Sequence, residues 1–226
     1  MMIKYLFPNL YKDSWLEKLD VVLGDFIERM LPPSRQVGTF VVWGRPNSGK
    51  TTFISRLRGQ ELGFNSKEAT TSKKKYKNIN FQMNDGSAFT INEIVDMPGT
   101  MDRLDDWLMQ VVDNDHVFYL IDLSRLTDRK YISQIEWDIR RTIEALGASN
   151  KERKRINIIA THIDESEFRQ FPAENANNIL QDNDVIRQIY ETTSEYKVSG
   201  YVYSANLMDE DSFQRLMESV INDCQK

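Results

Sequence analysis

Residues 39–51 read Thr39-Phe40-Val41-Val42-Trp43-Gly44-Arg45-Pro46-Asn47-Ser48-Gly49-Lys50-Thr51. An apolar run of strand length breaks at a glycine. A G-x-x-x-x-G-K-[ST] pattern follows, and Thr51–Arg58 then reads as a helix. Glycines at both ends let backbone N–H groups turn inward around an anion, and the helix N-terminus adds partial positive charge. In such a loop Lys50 would neutralise the β- and γ-phosphates, and Thr51 would offer its hydroxyl to Mg²⁺. A glycine-rich turn with an exposed lysine is the bland reading, and the strand–loop–helix context argues against it. Gly44, Asn47, Ser48, Gly49, Lys50, Thr51 and Thr52 are therefore the expected phosphate-side contacts.

Downstream of this loop, strands and helices alternate. Tyr76–Met83 and Ala88–Val95 read as strands joined at Asn84-Asp85-Gly86-Ser87, a hairpin that would add one antiparallel edge strand. His116–Leu123, Arg155–Ala160 and Tyr201–Ser204 read as further strands. Lys130–Leu146 (stopping before Gly147), Asn178–Glu191 and Ser212–Cys224 read as helices. The expectation is an α/β fold: a three-layer, mostly parallel sheet of the P-loop NTPase type with helices on both faces. Upstream, Leu16, Leu19, Val22, Leu23, Phe26, Ile27 and Met30 recur at helical spacing until Pro32 and Pro33 stop the pattern. The expected organisation is a helical arm over 1–36 and one nucleotide-binding domain over 37–226.

The bulk numbers fit this. The chain has 226 residues, 40% of them hydrophobic, which is enough for a core and argues against disorder. A net charge of −5 argues against nucleic acid as the main partner. Cys224 is the single cysteine, so no internal disulfide can form. No apolar run is long enough to span a bilayer, and the opening residues lack a signal-peptide pattern. A cytoplasmic location is expected. The arm carries Asp13, Glu17, Asp20, Asp25 and Glu28, which an anionic bilayer would repel. That favours docking on protein over lying on a membrane.

One P-loop does not name the nucleotide, but the order of the later motifs does. Asp96-Met97-Pro98-Gly99 closes a strand. Thr161-His162-Ile163-Asp164 follows another, and Ser204-Ala205-Asn206 follows the last. A P-loop, a threonine-bearing loop, D-x-P-G, T-x-x-D and S-A-N in this order resemble the translation-factor class of P-loop GTPases. GRPNSGKT and DMPG are similar to the corresponding motifs of its Era and TrmE-like members. The resemblance spans roughly 37–224.

It implies a guanine-nucleotide switch that hydrolyses GTP to GDP with Mg²⁺. Asp96 would hold Mg²⁺ through water, and the Gly99 N–H would reach the γ-phosphate. A switch threonine, Thr71 or Thr70, would contact metal and phosphate only in the triphosphate state. Asp164 would accept from guanine N1–H and the exocyclic amine, a donor pair that adenine lacks. The Ala205 N–H would meet guanine O6. Thr161, His162, Ser204 and Asn206 complete the base loops, and His162 and Asn206 depart from the lysines usual in these relatives.

Thr100 follows Gly99 where Ras-like proteins keep a water-orienting glutamine. Arg45 and Arg103 are candidate charge stabilisers or ordinary surface residues. Asn47 would help bind K⁺ beside the phosphates, or else merely stabilise its loop. On this reading Lys50, Thr71 and Asn47 form the catalytic set. Two functions stay open: a slow GTPase whose partner binding depends on nucleotide state, and a nucleotide-binding interaction module with little or no hydrolysis. An ATPase or kinase would not use Asp164 as placed.

Overall fold

The computed structural model describes residues 34–60, 72–99, 104–170 and 180–224. The N-terminal arm, both switch threonine candidates, Thr100 and Arg103 lie outside these residues. The described chain builds β1 (Arg35–Gly44), α1 (Lys50–Leu57), β2 (Lys74–Gln82), β3 (Ala88–Asp96), α2 (Leu104–Asp113) and β4 (His116–Asp122). It continues through α3 (Arg129–Ala148), β5 (Arg155–Thr161), α4 (Asp184–Glu195), β6 (Ser199–Ser204) and α5 (Glu210–Cys224).

The six strands form one sheet in the order β2-β3-β1-β4-β5-β6. Only β2 runs antiparallel, paired with β3 through the expected hairpin. The other neighbours pair in parallel. β4 and β5 are buried on both faces, which is why they read as unbroken apolar runs.

Alternation along the strands sends side chains into two cores. Val41, Trp43, Val117, Tyr119, Ile121, Ile156 and Ile158 meet the inward faces of α2, α3 and α4. Phe40, Val42, Phe118, Leu120 and Ile159 meet α1 and α5. The three-layer expectation holds, with the sheet as the middle layer.

Several boundaries differ from the sequence reading. β1 begins at Arg35 rather than Thr39. Lys74 and Lys75, expected in a loop, open β2, where Lys75 pairs with Glu93 at 2.7 Å across the hairpin. α3 continues through Gly147 instead of stopping before it. Gly147 is there for close approach: a Cβ would lie 3.2 Å from both the backbone and side chain of Tyr196. The helix expected near 178–191 is interrupted: residues 180–181 are helical, the chain turns at 182–183, and α4 starts anew at Asp184, where the Asn183 side chain accepts from Val185 N at 3.0 Å and caps it. Among the described residues of 165–198, several side chains enter the core. Phe168, Leu180, Val185, Ile186 and Ile189 are all buried.

The centre of the second core tests this account. Phe118 is 0% exposed, with its ring 4.7 Å from Phe40 and 5.9 Å from Phe53. Phe118→Ala is expected to cost about 3–5 kcal/mol, by lost transfer energy plus the cavity left behind. The melting midpoint should fall by roughly 6–20 °C in calorimetry.

Candidate functional site

The chemistry-bearing motifs gather at the carboxyl edge of the sheet. Gly44 ends β1, Asp96 ends β3, Asp122 ends β4, Thr161 ends β5 and Ser204 ends β6. In open parallel sheets this edge is where ligands bind.

The loop from Gly44 to Lys50 is held open by backbone geometry. Gly44 has φ 149°, and a Cβ there would sit 2.4 Å from the Leu120 carbonyl. Gly49 (φ 83°) and Asn47 (φ 66°) are both left-handed, a region that asparagine tolerates better than most residues. Ser48 N donates to Arg45 O at 3.2 Å and closes the turn. Ser48 Oγ is buried with no hydrogen-bond partner among the described residues. An orphaned hydroxyl inside a loop of this shape fits a polar, anionic ligand.

Lys50 is buried at the start of α1. Its ammonium donates to Gly44 O at 2.8 Å and to Arg45 O at 3.0 Å, so it lies across the loop. Burial lowers its pKa to about 8, while the Asp96 carboxylate pulls it back up. Asp96 is 3% exposed. Gly99 packs directly on the loop: a Cβ there would lie 2.9 Å from Gly44 O and from Pro46 N. The Asp96–Gly99 turn and the loop therefore meet backbone to backbone, as the phosphate-side reading requires.

Thr51 is exposed at the N-terminus of α1, and Asp96 lies on the same sheet edge. No cluster of three His, Cys, Asp or Glu exists among the described residues. A divalent ion would thus take one hydroxyl, one carboxylate and ligand phosphate oxygens, a donor set suited to Mg²⁺.

The base-side residues are placed less uniformly. Asp164 is exposed in a 3₁₀ turn, Ile163–Glu165, just beyond β5. Thr161, expected to touch ligand, is 1% exposed. Its hydroxyl lies 3.2 Å from Ser48 O and 3.0 Å from Ile121 O, and so ties the phosphate loop to β4 and β5. The hydroxyl has one proton, so it donates to one acceptor at a time, and His162 Nδ1 lies 2.8 Å from the same oxygen. His162 adopts φ 55° and also approaches Asp122 Oδ1 at 3.6 Å.

Ala205 requires a correction. Its N–H donates to Ala160 O at 2.9 Å, extending the β5–β6 pairing, and does not face a base. The next amide, Asn206 N, donates to Ser212 Oγ at 3.0 Å. Arg45 requires another. It is neither a surface residue nor turned toward the phosphate cradle, being 5% exposed and paired with Asp138 of α3.

Beside the phosphate loop opens a cleft of about 750 Å³, lined in part by Asn47, Gly99, Asp122, Ser124, Arg125 and Lys130. The sequence reading missed its β4–α3 wall. The available signal was Asp122 at the end of an apolar strand, where it accepts from Ser124 N at 3.0 Å and from Ser124 Oγ at 2.6 Å.

A family profile described as 50S ribosome-binding GTPase matches residues 39–162, more than half of the chain. The chain belongs to that GTPase family. No protein of curated function matches it significantly.

Among solved structures, this GTPase-family chain is similar to one titled a signal recognition particle receptor SRb-GTP/SRX complex from Chaetomium thermophilum. The TM-score is 0.58 and the identity 16%, covering 81% of this chain and 97% of that one. It is also similar to the Arl6 BBS3 small GTPase of Trypanosoma brucei, solved with bound GppNp. Here the TM-score is 0.56 and the identity 18%, covering 85% and 98%. At these identities the likeness is one of fold, the small-GTPase fold.

Lys50 gives a pH test. With its pKa lowered to about 8, free Lys50 is largely neutral above that pH, and bound phosphate should restore its charge. Nucleotide binding at pH 9 should therefore take up close to one proton, and almost none at pH 6.5. Titration calorimetry in buffers of different ionisation enthalpy reads this directly. Identical proton counts at the two pH values would contradict it.

Proposed function

We propose that this protein is a guanine-nucleotide switch of the translation-factor class, close to Era and TrmE-like GTPases. It binds Mg²⁺·GTP, hydrolyses it slowly to GDP and phosphate, and engages a protein partner in one nucleotide state. The observation that carries the reading is the Thr161 hydroxyl, three residues before Asp164 in sequence, which lies 3.2 Å from Ser48 O of the phosphate loop and 3.0 Å from Ile121 O of β4. It supports a reading in which the Asp164 turn and the 44–50 loop serve one ligand.

The roles follow from placement. Lys50, with the N–H groups of the 44–51 loop, holds the β- and γ-phosphates. Thr51 and Asp96 hold Mg²⁺, together with Thr71 or Thr70. Gly99 offers its N–H to the γ-phosphate, and Asp164 selects guanine. Bound Mg²⁺ would neutralise charge developing between the β- and γ-phosphates.

Slow turnover is supported by Thr100 in the place of a water-orienting glutamine and by Arg45 held in its pair with Asp138. K⁺ beside Asn47 is the proposed internal aid, although the left-handed backbone at Asn47 already gives that position a reason to be asparagine. A nearly inactive nucleotide-binding module is the second reading, favoured by the same confinement of Arg45. Partner binding is supported by α2, which follows the Asp96–Gly99 turn and exposes Met109 (53%) and Val112 (41%). No helix among the described residues is long and apolar enough to cross a membrane, and a cytoplasmic site of action is part of the proposal.

Calorimetry against GTP, GDP and ATP should show binding of the first two only. Asp164→Asn should move preference from guanine toward xanthine, whose C2 bears an oxygen. Tight ATP binding by the unmutated chain would sink the guanine reading.

Single-turnover hydrolysis should be faster in KCl than in NaCl at equal ionic strength, and Asn47→Ala should abolish the difference. Equal rates in the two salts, with measurable turnover, would remove the potassium role. Turnover indistinguishable from uncatalysed GTP would favour the second reading.

A further inference from the structure

Arg45 is the second residue of the phosphate loop, yet its guanidinium leaves the loop and enters the core. Nη2 donates to Asp138 Oδ1 at 2.7 Å, and Nε lies 2.6 Å from Asp138 Oδ2. Nη2 also reaches Gln134 O at 3.4 Å. Asp138 is 0% exposed, and its Oδ2 accepts a further hydrogen bond from Tyr119 OH at 2.6 Å.

One turn along α3, the Thr142 hydroxyl donates to Asp138 O at 2.8 Å and accepts from Trp107 Nε1 at 2.9 Å. The Trp107 ring packs 4.7 Å from Trp43, whose Nε1 donates to Pro98 O at 2.9 Å. Through directed bonds and one ring contact, a single stretch of α3 thus reaches both loops that face the phosphates: 44–50 and 96–99.

This arrangement is not the obvious way to stabilise a core. Desolvating two charges costs about as much as their attraction returns, and apolar pairs of similar size often do as well. What the pair supplies instead is geometry. A charge-assisted N–H···O bond such as that from Nη2, with Nε in close ionic contact beside it, fixes angle as well as distance, which a flexible apolar contact does not.

We propose that Asp138 is a positioning residue for nucleotide binding, holding the phosphate loop in its anion-accepting shape through its buried ion pair and Nη2 hydrogen bond with Arg45. This rests on the guanine-nucleotide reading above. It also excludes Arg45 as a direct stabiliser of phosphoryl charge, since the side chain that would do this is committed to α3. Asp138 touches no ligand and acts only through Arg45 and the loop backbone.

The test uses the full chain and the double variant Arg45→Met with Asp138→Leu, which replaces the charge pair by an apolar one. The melting midpoint should fall only modestly, because no lone charge is left buried and the one orphaned group is the Tyr119 hydroxyl. Affinity for Mg²⁺·GDP and Mg²⁺·GTP should fall at least about tenfold, and amides 45–49 should exchange hydrogen faster while those of β4 and β5 do not. Arg45→Lys, which keeps the charge and loses the directed Nη2 bond, should fall between the two.

A folded double variant with unchanged affinity for both nucleotides would overturn the inference. Should the double variant fail to fold, Arg45→Lys decides: it keeps the charge and loses the Nη2 bond to Asp138. Weakened binding there, in a folded protein, supports the role, and unchanged binding overturns it. If the unmutated protein binds neither nucleotide, the functional reading itself is lost and this inference with it. That outcome is distinct from wild-type affinity in the variants.

Discussion

At the end of β1 the backbone passes so close to β4 that no side chain fits. A Cβ on Gly44 would sit 2.4 Å from Leu120 O. This approach lets the chain turn away from the sheet at φ 149° and return at Gly49 to start α1. The rest of the site is arranged on that turn. Lys50 reaches back to cap Gly44 O and Arg45 O, Thr161 reaches Ser48 O, and Gly99 lies on the peptide at Pro46. A loop of backbone amides has little apolar surface of its own, so its shape has to be imposed by such neighbours.

The neighbours come from both sides of the sheet, and the division has physical content. α1, on one face, carries Lys50 and contributes Phe53 and Leu57 to its core. α3, on the other face, carries Asp138 and grips Arg45. The loop is thus clamped between layers that are themselves fixed by burial of β1 and β4. The buried charges are tolerable because each meets a partner. Asp138 receives Arg45 and Tyr119, while burial still raises its pKa. Lys50 has carbonyl oxygens and the nearby Asp96, and burial still lowers its pKa. Of the two, Lys50 is the one at the loop itself, where phosphate charge would tip the balance, as functional sites often arrange.

On the base side the sheet edge does a different job. Thr161 and Ala205, which by sequence order belong to ligand-reading loops, spend their polar groups inside the protein. They fix where the Asp164 turn and the Asn206 turn stand. His162 Nδ1 lies against the Thr161 hydroxyl and beside Asp122, so the ring's orientation is set from within the protein.

The sequence by itself determined the phosphate loop, the strand and helix order and the antiparallel hairpin. These follow from local rules: glycine where φ is positive, apolar runs in buried strands and turn residues at Asn84–Ser87. Asp138 was legible in principle, as an acid on the same helical stripe as Tyr131, Ile135, Thr142 and Leu146, which implies a buried partner. Its identity as Arg45, 93 residues away in sequence, was not. Nor were the inward use of Ala205 N–H, the close approach that puts Gly147 inside α3, or the cleft walled by Asp122 and Ser124. Those depend on which strand lies beside which, and on distances of a few tenths of an ångström. Only the packed tertiary structure sets such distances, because residues far apart in sequence share no local rule that would fix their contact.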